Sequence, residues 1–224
     1  MKKINYLAII PARSGSKRLK NKNEKKIKKI SLVDYTLNAA IKTKKIDKII
    51  ITTNIKKLLK KNQKKIFYVK RPNYLCKDSS STESAILHSL KIFKIANRIE
   101  PKNIILLQPT SPFRDSLDIV KSIKTFESGN YNSLFSAYKS KFFLWEKYKK
   151  NYAKPINYNT KKRVRGQNIK SFLVENGAIF IFKYKKFLNY KNRLIKPIGY
   201  SIMNKKNSVE IDSLEDLNFA KSFI

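Results

Sequence analysis

Five cations follow a short apolar stretch near the start of the sequence and surround a run of small residues. The cations are Arg13, Lys17, Arg18, Lys20 and Lys22. Because Ser14, Gly15 and Ser16 carry small side chains, the backbone amides of this run can approach an oxygen closely. Positive side chains and accessible amides in one loop favour a polyphosphate ligand. From the charges alone, the alternative is a solvated surface loop in a lysine-rich protein.

Two carboxylates near the other end of the sequence could hold a metal ion. Glu210 and Asp212 lie two positions apart, so on a strand both point to one side while Ile211 faces the core. Paired carboxylates at a strand end suit Mg²⁺. The alternative is structural, because the spacing of Ser213 and Asp216 fits a helix cap, and Asp212 or Ser213 could simply begin the last helix.

A third polar group is the turn Gln108-Pro109-Thr110-Ser111-Pro112-Phe113-Arg114, which follows an apolar run in the middle of the sequence. The Gln108 amide can donate and accept hydrogen bonds, so it can read a sugar hydroxyl or an amide. A tight turn in which Thr110 or Ser111 caps the next helix is the structural alternative. Both interpretations can hold together.

The elements that would position these residues alternate along the chain. Short apolar runs predict strands at 6–10, 49–51, 66–69 and 104–107. Helical spacing of apolar residues predicts helices at 32–41, 84–95 and 117–126, and another beginning within 55–59. Pro11 is expected to end the first strand. The alternation predicts an α/β fold with a Rossmann-like, mostly parallel sheet, helices on both faces and ligands at the carboxyl ends of the strands.

Residues 130–167 depart from this alternation. Their aromatic residues and lysines alternate more as in strands and hairpins than as in a long helix, and the rings suit either a subunit interface or a core. Asn176-Gly177, between two apolar runs, predicts a β-hairpin, and a last strand at 208–212 precedes a helix from Leu214. We expect one domain over 1–224, with 130–167 as an insertion.

The charge balance first suggests nucleic acid as a partner and then argues against it. The sequence has 51 Lys and Arg against 15 Asp and Glu, a formal net charge of +36. Only eight of these cations are arginine, which bidentate phosphate and groove contacts favour, and the lysines are spread along the whole chain. We therefore expect no specific nucleic-acid binding, while non-specific adhesion to polyanions stays open.

Other classes are excluded by small counts. A single cysteine, Cys76, rules out an intrachain disulfide and fits a reducing cytoplasm. The first apolar run ends at Pro11 without a cleavage site, and no apolar segment approaches the ~20 residues that span a bilayer, so we expect neither a signal peptide nor membrane insertion. The five glycines form neither G-x-G-x-x-G nor a P-loop, which argues against dinucleotide oxidoreductases and P-loop NTPases.

In order, these motifs resemble the sugar-activating cytidylyltransferases, and among them the acylneuraminate type that makes CMP-sialic or CMP-legionaminic acid. The resemblance rests on the loop 9–23, Arg71-Pro72 with the polar run 78–82, the turn 108–114, and the Asn-Gly and Glu-Ile-Asp segments. It implies a homodimeric nucleotidyltransferase that makes a CMP-sugar and pyrophosphate from CTP and a nonulosonic acid, an acidic nine-carbon sugar. The alternatives are a cytidylyltransferase for KDO or pseudaminate, or a polyanion-binding protein on an inactive transferase scaffold.

The resemblance also implies roles for single residues. The catalytic residues would be Arg13, Lys22 and Asp212. The nucleotide would bind at Ala12, Arg13, Ser16, Lys17, Lys22, Asn23, Arg71 and Ser81. The sugar would bind at Gln108, Arg165 and Phe180, while Glu210 and Asp212 would hold Mg²⁺ as the cofactor. Asn54 stands where these enzymes commonly have Asp, which would weaken a polar contact near the nucleotide. Phe180 and Leu173 stand where they commonly have Tyr and an aromatic hydroxyl, which would alter the sugar pocket, so the natural sugar can differ from plain N-acetylneuraminate.

Overall fold

Buried runs of isoleucine and leucine form the centre of a seven-stranded sheet in the computed structural model, which describes residues 2–60 and 62–223. The strands are β1 (Lys2–Ala12), β2 (Lys26–Ile27), β3 (Ile30–Ser31), β4 (Lys48–Thr53), β5 (Ile66–Lys70), β6 (Ile99–Leu107), β7 (Ser133–Ser140), β8 (Trp145–Lys147), β9 (Ala153–Pro155), β10 (Phe172–Lys183) and β11 (Ile198–Ile202). The helices are α1 (Leu32–Lys42), α2 (Thr82–Asn97), α3 (Ser116–Ser128), α4 (Tyr184–Tyr190) and α5 (Leu214–Ser222).

The sheet has the order β11-β7-β10-β6-β1-β4-β5. Strands β5, β4, β1 and β6 run parallel to one another, and β11 runs parallel to β7. Within this sheet, as far as the structure describes it, β10 alone is antiparallel to its neighbours, which are β6 and β7. The prediction of a mostly parallel sheet in an α/β fold is therefore confirmed, and β1 lies near its centre with its carboxyl end beside those of β4 and β6.

Helices cover both faces of the sheet, as predicted. On one face, Val33 of α1 and Ile119 of α3 pack in a core with Ile10 of β1. On the other face, Phe93 of α2 and Phe187 of α4 pack in a second core. Burying an aliphatic or aromatic side chain of this size contributes about 1.5–3 kcal/mol, so the two cores hold the strand ends in fixed positions. Among the described residues, no helix has the length and apolar character needed to cross a membrane.

Two local predictions are wrong. The segment expected to begin a helix at 55–59 forms only one 3-10 turn, Lys56–Leu58, because the polar lysine-rich residues that follow it offer no apolar face to bury. Pro11 does not end the first strand. Pairing of β1 with β6 stops at Ile9, so the last residues of β1, Pro11 included, continue beside β4 alone.

The prediction of a β-hairpin at Asn176-Gly177 is also wrong. These residues lie within β10, and β7 pairs with both flanks, at Glu175 and at Phe180. The register shifts between these two pairs, and Gly177 adopts a φ of 64° there, so the dipeptide forms a bulge in one strand.

The predicted insertion is narrower than 130–167 as a separate structural feature. Its first part forms β7 within the main sheet, and only the stretch after Ser140 leaves the sheet. There β8 and β9 pair as a small antiparallel ribbon. We call residues 141–171 the arm.

Candidate active site at the carboxyl ends of the strands

A polar cleft of about 300 Å³ opens where β1, β5 and β6 end. Predicted site residues in its lining are Arg13, Ser16, Lys22, Asn23, Arg71, Ser81, Gln108, Glu210 and Asp212. A larger depression of about 790 Å³ lies at the opposite ends of the strands. It is lined mainly by lysines and by the amino ends of β1 and β6. It contains none of the predicted site residues, so the chemistry belongs to the smaller cleft.

The loop after β1 is held by two asparagines. The Asn54 Oδ1 accepts a hydrogen bond from the Ser14 amide at 2.8 Å, and its Nδ2 donates to the Ser14 hydroxyl at 2.8 Å. From the other side of the loop, the Asn23 Nδ2 donates to the Arg13 carbonyl at 2.8 Å. Asn54, which stands where the family commonly has Asp, therefore positions the cationic loop.

Asp78 binds two of the loop cations. Its Oδ1 lies 2.6 Å from Arg13 Nη2, and its Oδ2 lies 3.2 Å from Lys17 Nζ. Hydrogen bonds from Arg13 and then Lys17 lower the pKa of the Asp78 carboxyl. The Arg13 Nη1 also donates to the carbonyl of Cys76 at 3.0 Å.

Asp212 binds two further cations of the same loop. Its Oδ1 lies 2.5 Å from Lys22 Nζ, and its Oδ2 pairs with the exposed guanidinium of Arg18. The Asp212 amide donates to Asp216 Oδ2 at 2.9 Å. Asp216 also completes a capping box with Ser213 at the start of α5, so the cap interpretation is confirmed, and the metal role of Asp212 stays a prediction.

Glu210 lies beside Asp212 on an extended segment that pairs with no strand, which corrects the predicted strand at 208–212. Alternation is still kept, because Ile211 is fully buried and its amide donates to the Thr110 carbonyl at 2.8 Å. Both carboxylates therefore reach the cleft. Burial, and then the negative charge of Asp212, raise the pKa of the Glu210 carboxyl.

The bulge in β10 brings Glu210 close to Gln108. A Cβ atom built on Gly177 would lie 3.1 Å from Gln108 Oε1 and 3.4 Å from Glu210 Oε1. Arg114, which is fully buried, supports this corner from below. Its Nη1 donates to the carbonyls of Gln108 at 3.2 Å and Ala178 at 3.1 Å.

Arg71 and Ser81 form the third side of the cleft. Arg71 is nearly buried, and its Nη2 donates to the Thr52 carbonyl at 2.8 Å. Burial lowers the pKa of Arg71 to about 10, so the side chain is still a cation at neutral pH. The Ser81 hydroxyl accepts a hydrogen bond from the Ser84 amide and so caps the start of α2.

Four predicted site residues lie outside the cleft lining. Ala12 is buried in β1, and Lys17 extends into solvent. Arg165 is exposed on the arm. Phe180 is only 2% exposed, within the core, and the Arg193 guanidinium stacks 4.9 Å from its ring centre, so the ring offers no surface to a sugar in this structure.

Sequence reasoning missed the roles of three residues. Arg18 was one cation among five, and its pairing with Asp212 depends on two distant segments meeting. Asp78 was placed only in a polar run, and Arg114 only at the end of a turn. An arginine directly after a proline-stiffened turn is the single signal that could have indicated a buried clamp.

The two carboxylates are suitable metal ligands. In the described part of the chain, no group of three or more His, Cys, Asp and Glu side chains could enclose a metal ion. Two carboxylates at one cleft are nevertheless the protein ligands that Mg²⁺ commonly has where substrate phosphates and water complete its shell. Glu210 and Asp212 are therefore suitable ligands for Mg²⁺.

A family model described as cytidylyltransferase matches residues 7–223. The chain belongs to this cytidylyltransferase family. The N-acylneuraminate cytidylyltransferase of Escherichia coli O18:K1:H7 is 31% identical over 96% of the chain. The chain spans 51% of that relative's length. A pseudaminic acid cytidylyltransferase of Campylobacter jejuni is 24% identical over 96% of the chain and 94% of the relative.

Solved structures with similar folds agree with the architecture of the chain. A CMP:2-keto-3-deoxy-manno-octonic acid synthetase complexed with CTP superposes with a TM-score of 0.68 at 13% identity, over 98% of both chains. The 2-C-methyl-D-erythritol 4-phosphate cytidylyltransferase of Francisella tularensis gives 0.67 at 16% identity, over 98% of this chain and 100% of that one. At such identities the similarity establishes the architecture alone.

Proposed function

We propose that this cytidylyltransferase transfers CMP from CTP to a nonulosonic acid of the N-acylneuraminate or legionaminate type and releases pyrophosphate. The observation that carries the proposal is the meeting of the cationic loop with Asp212 across one polar cleft. Polyphosphate needs cations, and a metal-assisted transfer needs carboxylates beside them. The relatives named for N-acylneuraminate and pseudaminic acid support an acidic sugar as the acceptor.

In the proposed reaction, the anomeric hydroxyl of the sugar attacks the α-phosphorus of CTP. A new oxygen–phosphorus bond forms while the bond to the bridging oxygen breaks. Pyrophosphate departs with that electron pair, and the proton of the hydroxyl passes to solvent water. Arg13, Lys17 and Lys22 would stabilise the charge that develops on pyrophosphate. Arg71, held by the Thr52 carbonyl, would add a fixed positive charge on the far side of the cleft.

Glu210 and Asp212 would hold Mg²⁺. When bound, the ion would neutralise phosphate charge and lower the pKa of the attacking hydroxyl. The chain's own contribution is the placement of the two carboxylates, which the buried Ile211 between them fixes. Lys22 and Arg18 keep Asp212 charge-compensated while no substrate is bound.

The sugar would be read on the Gln108 side of the cleft. The Gln108 side-chain amide lies beside Glu210. Arg114 donates to the Gln108 backbone carbonyl and not to this amide, so the amide can turn toward a sugar hydroxyl. For the sugar carboxylate, Arg165 stays our assignment, because guanidinium binds carboxylate through two parallel hydrogen bonds. Its place on the exposed arm means that the arm must approach a cleft for this contact to form.

We also propose that the arm joins two copies of the chain into a homodimer. It exposes several large apolar side chains, which are Phe142, Leu144, Trp145, Tyr148, Tyr152 and Ile156. Aromatic residues are enriched at subunit interfaces, so these exposed rings suit a contact with a second copy of the chain. A cytoplasmic location would suit an enzyme with one free cysteine, Cys76.

The deciding experiment is pyrophosphate release by the purified protein with CTP, Mg²⁺ and one of four acids: N-acetylneuraminate, legionaminate, pseudaminate or KDO. Mass spectrometry of the products identifies any CMP-sugar. We expect release with N-acetylneuraminate or legionaminate. Release with KDO or pseudaminate alone would replace the proposed sugar, and no release from folded protein with any acid would contradict the proposed reaction.

A further inference from the structure

Two carboxylates pair with cations of the loop after β1, and only one of the two carboxylates lies in the cleft lining. Asp212 pairs with Lys22 and Arg18 inside the cleft, whereas Asp78 pairs with Arg13 and Lys17 from outside its lining. We propose that Asp78 sets the affinity for the nucleotide by occupying Arg13 and Lys17 until the phosphates of the substrate displace it. This inference rests on the proposed function, because it takes Arg13 and Lys17 as phosphate-binding residues.

The geometry of Asp78 is that of a phosphate substitute. Each carboxylate oxygen contacts a different cation, at 2.6 Å for Arg13 and 3.2 Å for Lys17. Two oxygens of a phosphate group would present the same pair of acceptors to the same two cations. The Nη2 of Arg13 that faces Asp78 therefore cannot serve both partners fully, and the two anions compete.

Arg13 does not need Asp78 to keep its position. Its other terminal nitrogen, Nη1, donates to the carbonyls of Cys76 at 3.0 Å, Gly15 at 3.3 Å and Ser14 at 3.4 Å. The backbone of Arg13 is fixed separately by Asn23. Removing the charge of Asp78 would thus free the cation without releasing its side chain, so the expected effect is a gain of anion affinity.

Displacing Asp78 from the two cations also requires little free energy. Its side chain is 38% exposed and that of Lys17 is 84% exposed, so water can solvate the carboxylate as soon as it leaves. Exposed ion pairs are weak and screened by salt. Asp78 therefore weakens phosphate binding by a limited factor, and phosphate can still bind by displacing it.

The test compares Asp78→Asn with Glu127→Gln by calorimetric titration of pyrophosphate and, separately, of CTP with Mg²⁺. Glu127 is the matched control because it forms an exposed ion pair with Lys45, at similar exposure and away from the cleft lining, and a glutamine there can still accept the hydrogen bond from the Tyr6 hydroxyl. Both changes raise the net charge by one. We expect Asp78→Asn to bind pyrophosphate roughly three- to tenfold more tightly than the parent at low salt, and Glu127→Gln to stay within about twofold.

The gain should shrink as salt is raised, because it comes from released charge. Equal or weaker pyrophosphate binding by Asp78→Asn would overturn the inference, as would an equal gain in Glu127→Gln. A parent protein that is folded and fails to bind CTP would contradict the proposed function instead. The pyrophosphate titration still decides the role of Asp78 in that case, since it does not depend on the nucleoside.

Discussion

The Nζ of Lys22 lies 2.5 Å from Oδ1 of Asp212, although 190 positions separate the two residues in the chain. Both side chains are largely shielded from water, at 16% and 25% exposure. The contact joins the loop after β1 to the segment before α5. A cation for phosphate and a carboxylate for metal are thereby brought to one point of the cleft.

Replacing Lys22 with alanine should abolish most activity and keep the fold. Arg18 still compensates Asp212 in this variant, so no buried carboxylate is left alone. Loss of one charge-stabilising group typically lowers turnover by about 10²–10³-fold. Pyrophosphate release measures the loss, and circular dichroism monitors the fold. The control is Lys20→Ala, an exposed cation of the same loop that lines no part of the cleft. Full pyrophosphate release by Lys22→Ala would remove Lys22 from the catalytic residues. The polyanion-binding alternative instead predicts no pyrophosphate release by the parent and unchanged polyanion binding by Lys22→Ala and Asp212→Ala.

Gly177→Ala should damage both stability and activity. A methyl group there would lie 3.1 Å from Gln108 Oε1, and the φ of 64° is one that side-chain-bearing residues rarely adopt. We expect a loss of about 1–3 kcal/mol in the free energy of unfolding, measured with urea, and a drop in turnover. Gly166→Ala is the matched control, because a Cβ at Gly166 meets no atom within 4 Å. Equal stability of the two variants would show that the bulge tolerates a side chain.

Gln108→Leu should raise the KM for the sugar and leave that for CTP nearly unchanged. Leucine is similar in size and cannot hydrogen-bond, so a hydroxyl or amide of the sugar would lose its partner, which typically costs about 1–3 kcal/mol. Steady-state kinetics with each substrate varied in turn separates the two effects. Unaltered turnover of the sugar would remove Gln108 from sugar recognition and favour a different acidic acceptor.

Trp145→Asp should convert the proposed dimer to a monomer. A carboxylate in the apolar face of the arm would be desolvated at the interface, at a cost that a surface contact cannot offset. Light scattering coupled to size-exclusion chromatography measures the mass. The control is Ile95→Asp, which places the same charge on an exposed apolar position of α2. A parent protein that is already monomeric at micromolar concentration would contradict the dimer.

His88 should make stability fall as the medium becomes acidic. Burial, and then the positive charges of Arg71 and Lys91, lower the pKa of this imidazole below its ordinary value of 6.5. The unfolded chain therefore binds the proton more readily than the folded one, so this stability is present above pH 6.5 and is lost as pH falls through the lowered pKa. Urea unfolding at pH 7.5 and 5.5 should show a smaller drop for His88→Gln than for the parent. An equal drop would assign the pH dependence to other groups.

The strands and helices that the sequence could predict are those with an apolar pattern of their own. The runs that became β1, β4 and β6 are continuous and buried, and α1 and α3 show a helical stripe that their burial reproduces. Asn176-Gly177 failed for the opposite reason. Its hairpin signal is local, whereas β7 pairs with both flanks of the dipeptide, Ala137 with Glu175 and Phe135 with Phe180, from 38 and 45 residues earlier in the chain.

The site shows the same division between local and distant information. The cationic loop and the paired acids could be recognised from residue types at close spacing, and the cleft contains most of them. Which cation meets which acid could not, because Lys22 and Asp212 are joined only by the fold. Phe180 was assigned from its place in a motif, and it is buried because both faces of β10 are covered at this point and its ring packs in the core with Phe93.

The arm begins and ends at one point of the sheet. Ser140 at the end of β7 and Phe172 at the start of β10 are paired directly across the ladder, so 31 residues leave and return through a gap of a single strand spacing. A two-residue turn can bridge such a gap. The arm is therefore a detachable module: it could be shortened, exchanged between relatives or replaced by a designed turn while the sheet and the cleft keep their connections.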